Sequence, residues 1–180
     1  MDNRSDVETL QVSSPTATVN QLVEFEAETG IELAPAERLL LVTDGTVTHM
    51  LEALTRGPVA VVIVDRDETG GVLHRQVRLE TDAGAVLLWA ESTIHVECLP
   101  SVLRGQLVNG DIGIGQALRD ARIDTHRDIG SFGYLSSAHD GFPAFIQAQQ
   151  DLIRRTYRVH ANGVAMMTIT EYLCRLGKLR

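Results

Sequence analysis

The sequence predicts an α+β domain built on a single antiparallel sheet of about six strands, with helices covering one face. Two observations carry this. Stretches of apolar residues with a period of two, or wholly apolar and β-branched, dominate residues 59–96 and 123–174, and turn signals (Gly70-Gly71, Asp82-Ala83-Gly84, Asn162-Gly163) separate them. Strands joined by such short turns pair antiparallel. Helical patterns are grouped mostly at the front of the chain instead of alternating with strands, which indicates α+β and not α/β.

In chain order, residues 1–18 are polar, lack any sustained period and are expected to form a disordered tail, with a single domain over residues 19–180. Leu22, Val23 and Phe25 predict a short helix broken at Gly30, and Leu39, Leu40 and Leu41 supply the apolar side of a second helix starting near Pro35. Thr46 is placed to cap a third over residues 47–54. After the Gly57-Pro58 stop, residues 59–64 read as a strand buried on both faces, residues 65–71 as a hairpin loop, and residues 72–79 and 86–96 as the next two strands. Ser101 opens a short helix. The glycine-dense stretch 109–115 leads into another over residues 116–122, residues 123–134 form a strand, and residues 154–160 pair with 164–174.

Composition narrows the function. A length of 180 residues with 44% hydrophobic content supports one sizeable core, and 4% aromatics argues against stacking platforms for bases or sugars. A net charge of −8 argues against nucleic-acid and anionic-membrane partners, so an anionic ligand needs a local basic pocket. Cys98 and Cys174 have no metal-ligand spacing and read as reduced, buried thiols; the six histidines form no ligand pattern. With no targeting segment and no apolar run long enough for a span, a cytoplasmic location is expected.

Two residues break the strand patterns. In residues 72–79, Arg75 shares a face with Leu73, Val77 and Leu79; in residues 164–174, Glu171 shares one with Ala165, Met167, Ile169 and Leu173. A buried cation and a buried carboxylate need partners or a ligand. Arg75 could bury only its stem. Across a two-residue Asn162-Gly163 turn, Arg154 would lie opposite Glu171 as an ordinary ion pair. We expect instead a three-residue loop, Ala161-Asn162-Gly163, closed by a G1 bulge. It would pair Val159 with Ala165 and Tyr157 with Met167, put Arg154 on the other face, and leave Glu171 facing a cavity.

Ala90-Glu91-Ser92, Leu99-Pro100, Gly113-Ile114-Gly115, the run from Arg154 to Val159, and Thr170-Glu171 stand in the order and spacing of the chorismate lyase (chorismate pyruvate-lyase) family. Over about residues 40–176 the chain resembles that family, most closely its actinobacterial and archaeal branch. The resemblance implies elimination of pyruvate from chorismate to give 4-hydroxybenzoate or an isomer, without metal or cofactor, by a monomer or homodimer. Arg75 then matches the arginine that receives the ring carboxylate and Glu171 the glutamate at the ring hydroxyl, both catalytic candidates. Val47 matches the residue packing on the ring, and Ile114, with Gly115 beside it, the loop whose backbone amide touches ligand. Where the enterobacterial branch has a second arginine, this sequence has Ser92, so Arg127 or Arg155 must meet the second carboxylate, or the substrate differs. The alternative from another class is an effector-sensing domain of the same fold that binds a small aromatic acid without turnover.

Overall fold

The protein is described here from a computed structural model, in which residues 8–11, 18–137, 142–147 and 150–176 are defined. Seven strands form one sheet: β1 (Glu8–Gln11), β2 (Val59–Thr69), β3 (Val72–Thr81), β4 (Val86–His95), β5 (His126–Ser137), β6 (Gln150–Ala161) and β7 (Val164–Cys174). Their order is β1-β5-β6-β7-β4-β3-β2, with every neighbouring pair antiparallel. Two meanders, β2–β4 and β5–β7, are thus stitched together by β4 and β7, far apart in sequence but adjacent at the centre.

Helices α1 (Thr18–Thr29), α2 (Pro35–Val42), α3 (Val47–Thr55), α4 (Ser101–Asn109) and α5 (Ile114–Asp120) supply Phe25, Leu40, Leu41, Leu51, Leu103, Leu107 and Leu118 to the main core. From the sheet, Leu73, Leu88, Ile94, Ile153, Val159, Met167 and Ile169 join them. Alternation along each strand fixes this inner face. The reverse face is not bare. Helix α6 (Ala144–Gln147) brings Ile146 onto Trp89, Leu135, Leu152 and Cys174, and Trp89 stacks on Tyr172 with ring centroids 4.9 Å apart. Among the described residues, no helix is long and apolar enough to cross a membrane.

Helix α2 is pinned at its start. Pro35 occupies its first turn, where a missing N–H costs nothing, and the fully buried Glu37 accepts hydrogen bonds from the Ala34 N–H at 2.8 Å and from Arg175 Nε and the Leu176 N–H at 2.9 Å each.

Several expectations need correction. Four residues assigned to a disordered tail, Glu8–Gln11, pair with β5 as an edge strand; the rest of residues 1–17 lies outside the described residues. The wholly apolar start of β2 is not buried on both faces but is the opposite edge of the sheet, with Ala60 and Val64 exposed, and its charged continuation to Thr69 is strand and not loop. Cys98 is exposed; only Cys174 is buried.

The β6–β7 hairpin also differs. Ala161 pairs with Val164 across Asn162-Gly163, whose φ values of 51° and 77° make the two-residue turn that matches strand twist. The extra residue required by the face pattern sits inside the strand instead. His160 pairs with Ala165 and Val159 with Met167, so Met166 is bulged, and both methionines are buried. Tyr157 and Val159 therefore do share the face of Ile169 and Glu171, but Tyr157 lies opposite Ile169, and Arg155 opposite Glu171.

Candidate functional site

Two rows of side chains run across the inner face. One reads Arg75, Ser92, Ile169, Tyr157 through successive cross-strand pairs of β3, β4, β7 and β6; the next reads Val77, Ala90, Glu171, Arg155. Above them, between the sheet and the first turns of α3 and α5, lies a cavity open to solvent. Arg75 and Glu171 stand on strands two apart, about 10 Å across the sheet. Val47, Arg75, Ile114, Gly115 and Glu171 all line this cavity, as do Ser92, Arg127 and Tyr157.

Arg75 is almost completely buried. Its Nη2 donates to the Ile112 carbonyl, while Nε and Nη1 are buried without a protein partner. Burial, reinforced by the Arg66 guanidinium opposite it and partly offset by Asp111, holds its pKa down to about 10. A guanidinium kept in this state is short of an anion. Arg66 holds the loop that supplies Ile112: it donates to the carbonyls of Val108 (3.0 Å) and Gly110 (2.8 Å) and to Asp111 Oδ1 (2.9 Å).

Glu171 is buried, with both carboxylate oxygens engaged. Arg155 Nε donates to Oε2 at 2.6 Å, and the Tyr157 hydroxyl donates to Oε1 at 2.8 Å. Burial and the adjacent carboxylate push the Tyr157 phenol well above its ordinary pKa, so it acts as a neutral donor. Arg155 is fully charged: burial opposes its charge, but Glu171 and Tyr157 outweigh that. Its Nη1 reaches three carbonyls at the end of α2, those of Leu40 (2.6 Å), Leu41 (3.1 Å) and Thr43 (3.2 Å), satisfying the helix's orphan acceptors. The ion pair weighed from sequence thus exists, with Arg155 in place of Arg154 and on the cavity side. A carboxylate offers about four acceptor positions, so two hydrogen bonds leave Glu171 able to accept from a ligand.

The lid side is set by close backbone approach. A Cβ on Gly115 would lie 2.9 Å from Thr46 Cγ2, so the first turn of α5 can abut the start of α3 only because that position is glycine. Thr46 itself makes no side-chain cap on α3. Val47 is buried at the head of α3, and Ile114 is half-buried at the head of α5.

The two arginines weighed for a second carboxylate separate clearly. Arg127 lines the cavity; Arg155 lies behind Glu171, beside a smaller void with Leu40 and Leu41. The reading from sequence passed over Tyr157 as a ligand of Glu171, and Arg155 as its ion-pair partner. The signal was present, since Arg155 is in phase with Tyr157 and Val159 on an apolar strand face, the same anomaly that marks Arg75. Among the described residues, no group of three or more His, Cys, Asp or Glu side chains is disposed to hold a metal ion.

Residues 41–177 match the family model described as chorismate pyruvate-lyase Rv2949c-like. The chain is 30% identical over 149 residues to MJ0807 of Methanocaldococcus jannaschii, a protein named provisionally as a lyase, covering 79% of this chain and 80% of that protein. It is 23% identical over 158 residues to the chorismate pyruvate-lyase of Mycobacterium leprae, covering 77% and 73%. In fold it resembles the effector domain of PhnF from Mycobacterium smegmatis, with a TM-score of 0.56 at 13% identity over 73% of this chain and 90% of that one.

Proposed function

The chain belongs to the Rv2949c-like chorismate pyruvate-lyase family, and from that premise we propose that it converts chorismate to 4-hydroxybenzoate and pyruvate in the cavity between Arg75 and Glu171. In this reaction the C4–H and C3–O bonds of the substrate break. The C4–H electron pair completes the aromatic ring, enolpyruvate departs with the C3–O pair, and a proton taken up at its methylene carbon makes pyruvate. Aromatisation drives the chemistry, so the protein has chiefly to hold a dianion in one pose, exclude water and manage a proton.

The observation that carries this reading is the state of Arg75: a buried guanidinium with two unpartnered donors, in one cavity with a carboxylate that retains acceptor capacity. A guanidinium fork suits a ring carboxylate. Glu171, held by Arg155 and Tyr157, accepts the C4 hydroxyl and fixes the carbon from which the proton leaves. Val47 and Ile114 pack on the ring faces and limit access of water.

The test is incubation of the purified protein with chorismate, following pyruvate by a coupled dehydrogenase and the aromatic acid by absorbance and mass. Equimolar pyruvate and 4-hydroxybenzoate are expected. Saturable binding of 4-hydroxybenzoate with no turnover would replace this reading with that of an aromatic-acid binding domain. The likeness to the PhnF effector domain is one of fold alone and does not favour either outcome.

A further inference from the structure

We propose that Arg127 is the receptor for the second carboxylate of the substrate, and hence the residue that makes the site selective for a dianion; this rests on the reading above. Arg127 is the cavity-lining cation besides Arg75 among the described residues. Its side chain is only 11% exposed, and its Nε is buried without a partner. Its guanidinium carbon lies 5.6 Å from the centroid of the Tyr157 ring, the ring whose hydroxyl donates to Glu171. With the ring carboxylate on Arg75 and the C4 hydroxyl on Glu171, the ring carbon next to that hydroxyl, where chorismate carries its enolpyruvyl ether, lies at the Glu171 end of the ring, and β5 brings Arg127 to the site from beyond that end.

The charges agree. Glu171 is neutralised from behind by Arg155. Arg75 and Arg127 are then left as two cavity cations whose nearby carboxylates, Asp111 and Asp44, are both mostly in solvent. Arg127 reaches Asp44 Oδ1 only at 3.6 Å; its Nη1 donates to the Asp44 backbone carbonyl instead. That contact orients the guanidinium without satisfying its charge. Ser92, between Arg75 and Ile169 in the same row, carries no charge, and Arg127 approaches from β5, on the far side of β6.

The experiment compares a dianion with a monoanion. Arg127→Gln should raise KM for chorismate by roughly thirtyfold or more, the range for losing one desolvated charge partner, while leaving the affinity for 4-hydroxybenzoate within about threefold. Arg75→Gln should weaken both. Asp44→Asn keeps an oxygen for the Arg127 backbone N–H and removes only the competing charge, so KM for chorismate should be unchanged or lower. If Arg127→Gln fails to fold, the wild-type protein decides: 3-(carboxymethoxy)-4-hydroxybenzoate should bind at least about tenfold more tightly than 4-hydroxybenzoate. Equal affinities, a chorismate KM for Arg127→Gln within threefold of wild type, or an Asp44→Asn penalty as large as that of Arg127→Gln would overturn the assignment. No turnover of chorismate by wild type would refute the underlying activity and this inference with it, a result distinct from active enzyme indifferent to Arg127.

Discussion

Replacing Arg155 by methionine keeps much of the side chain's length and removes its charge. The arginine is 2% exposed and makes the 2.6 Å bond to Glu171 together with the three carbonyl contacts that close α2. Its loss strands a buried carboxylate with only the Tyr157 hydroxyl and leaves helix-end acceptors unsatisfied. Breaking a buried pair from one side costs about 3–5 kcal/mol, a large share of a total stability of about 5–15 kcal/mol. With a urea m-value near 2 kcal/mol/M, the unfolding midpoint should fall by about 1.5–2.5 M. Trp89, the single tryptophan and 2% exposed, supplies the fluorescence signal. Adding Glu171→Gln to Arg155→Met removes the stranded charge, so the double variant should be at least about 1 kcal/mol more stable than Arg155→Met alone, a coupling expected of residues in contact. A midpoint shift below about 0.5 M, or a double variant no more stable than the single, would refute a buried, energetically coupled pair.

Arg75→Lys keeps the charge but loses the planar fork, and should weaken 4-hydroxybenzoate binding by about 3 kcal/mol, or roughly a hundredfold, in a calorimetric titration; unchanged affinity would remove Arg75 from the site. Glu171→Gln retains shape and one acceptor, so kcat should fall more than product affinity, and full activity would reduce Glu171 to a structural ion-pair member. Burial pushes the Cys174 thiol up to about 11, so iodoacetamide at pH 8 should label the exposed Cys98 in the native protein and both cysteines only after unfolding; native labelling of Cys174, read by peptide mass, would contradict its burial.

The positions of Arg75 and Glu171 on apolar faces were legible in the sequence because strand alternation is local: residue i and residue i+2 share a face whatever the strand pairs with. The same parity places Arg155 beside Tyr157. The α+β class and the helices beginning near Pro35 and at Val47 follow from equally local signals. Family motifs in residues 90–171 pointed to the chorismate pyruvate-lyase family, to which these anomalies alone do not lead.

Which arginine meets Glu171 is a question of register, and register is not local. The Asn162-Gly163 turn alone would set Arg154 opposite Glu171; the bulge at Met166 shifts the pairing by one, and no residue type nearby announces it. The position of β2 at the sheet edge was equally hidden, because an apolar run carries no mark of how many neighbours it has. The joining of β4 to β7 brings residues 75, 92 and 171 under one cavity, and the approach of Gly115 to Thr46 roofs it. Those are contacts between segments distant in the chain, settled by packing the whole core at once and not by any stretch of it.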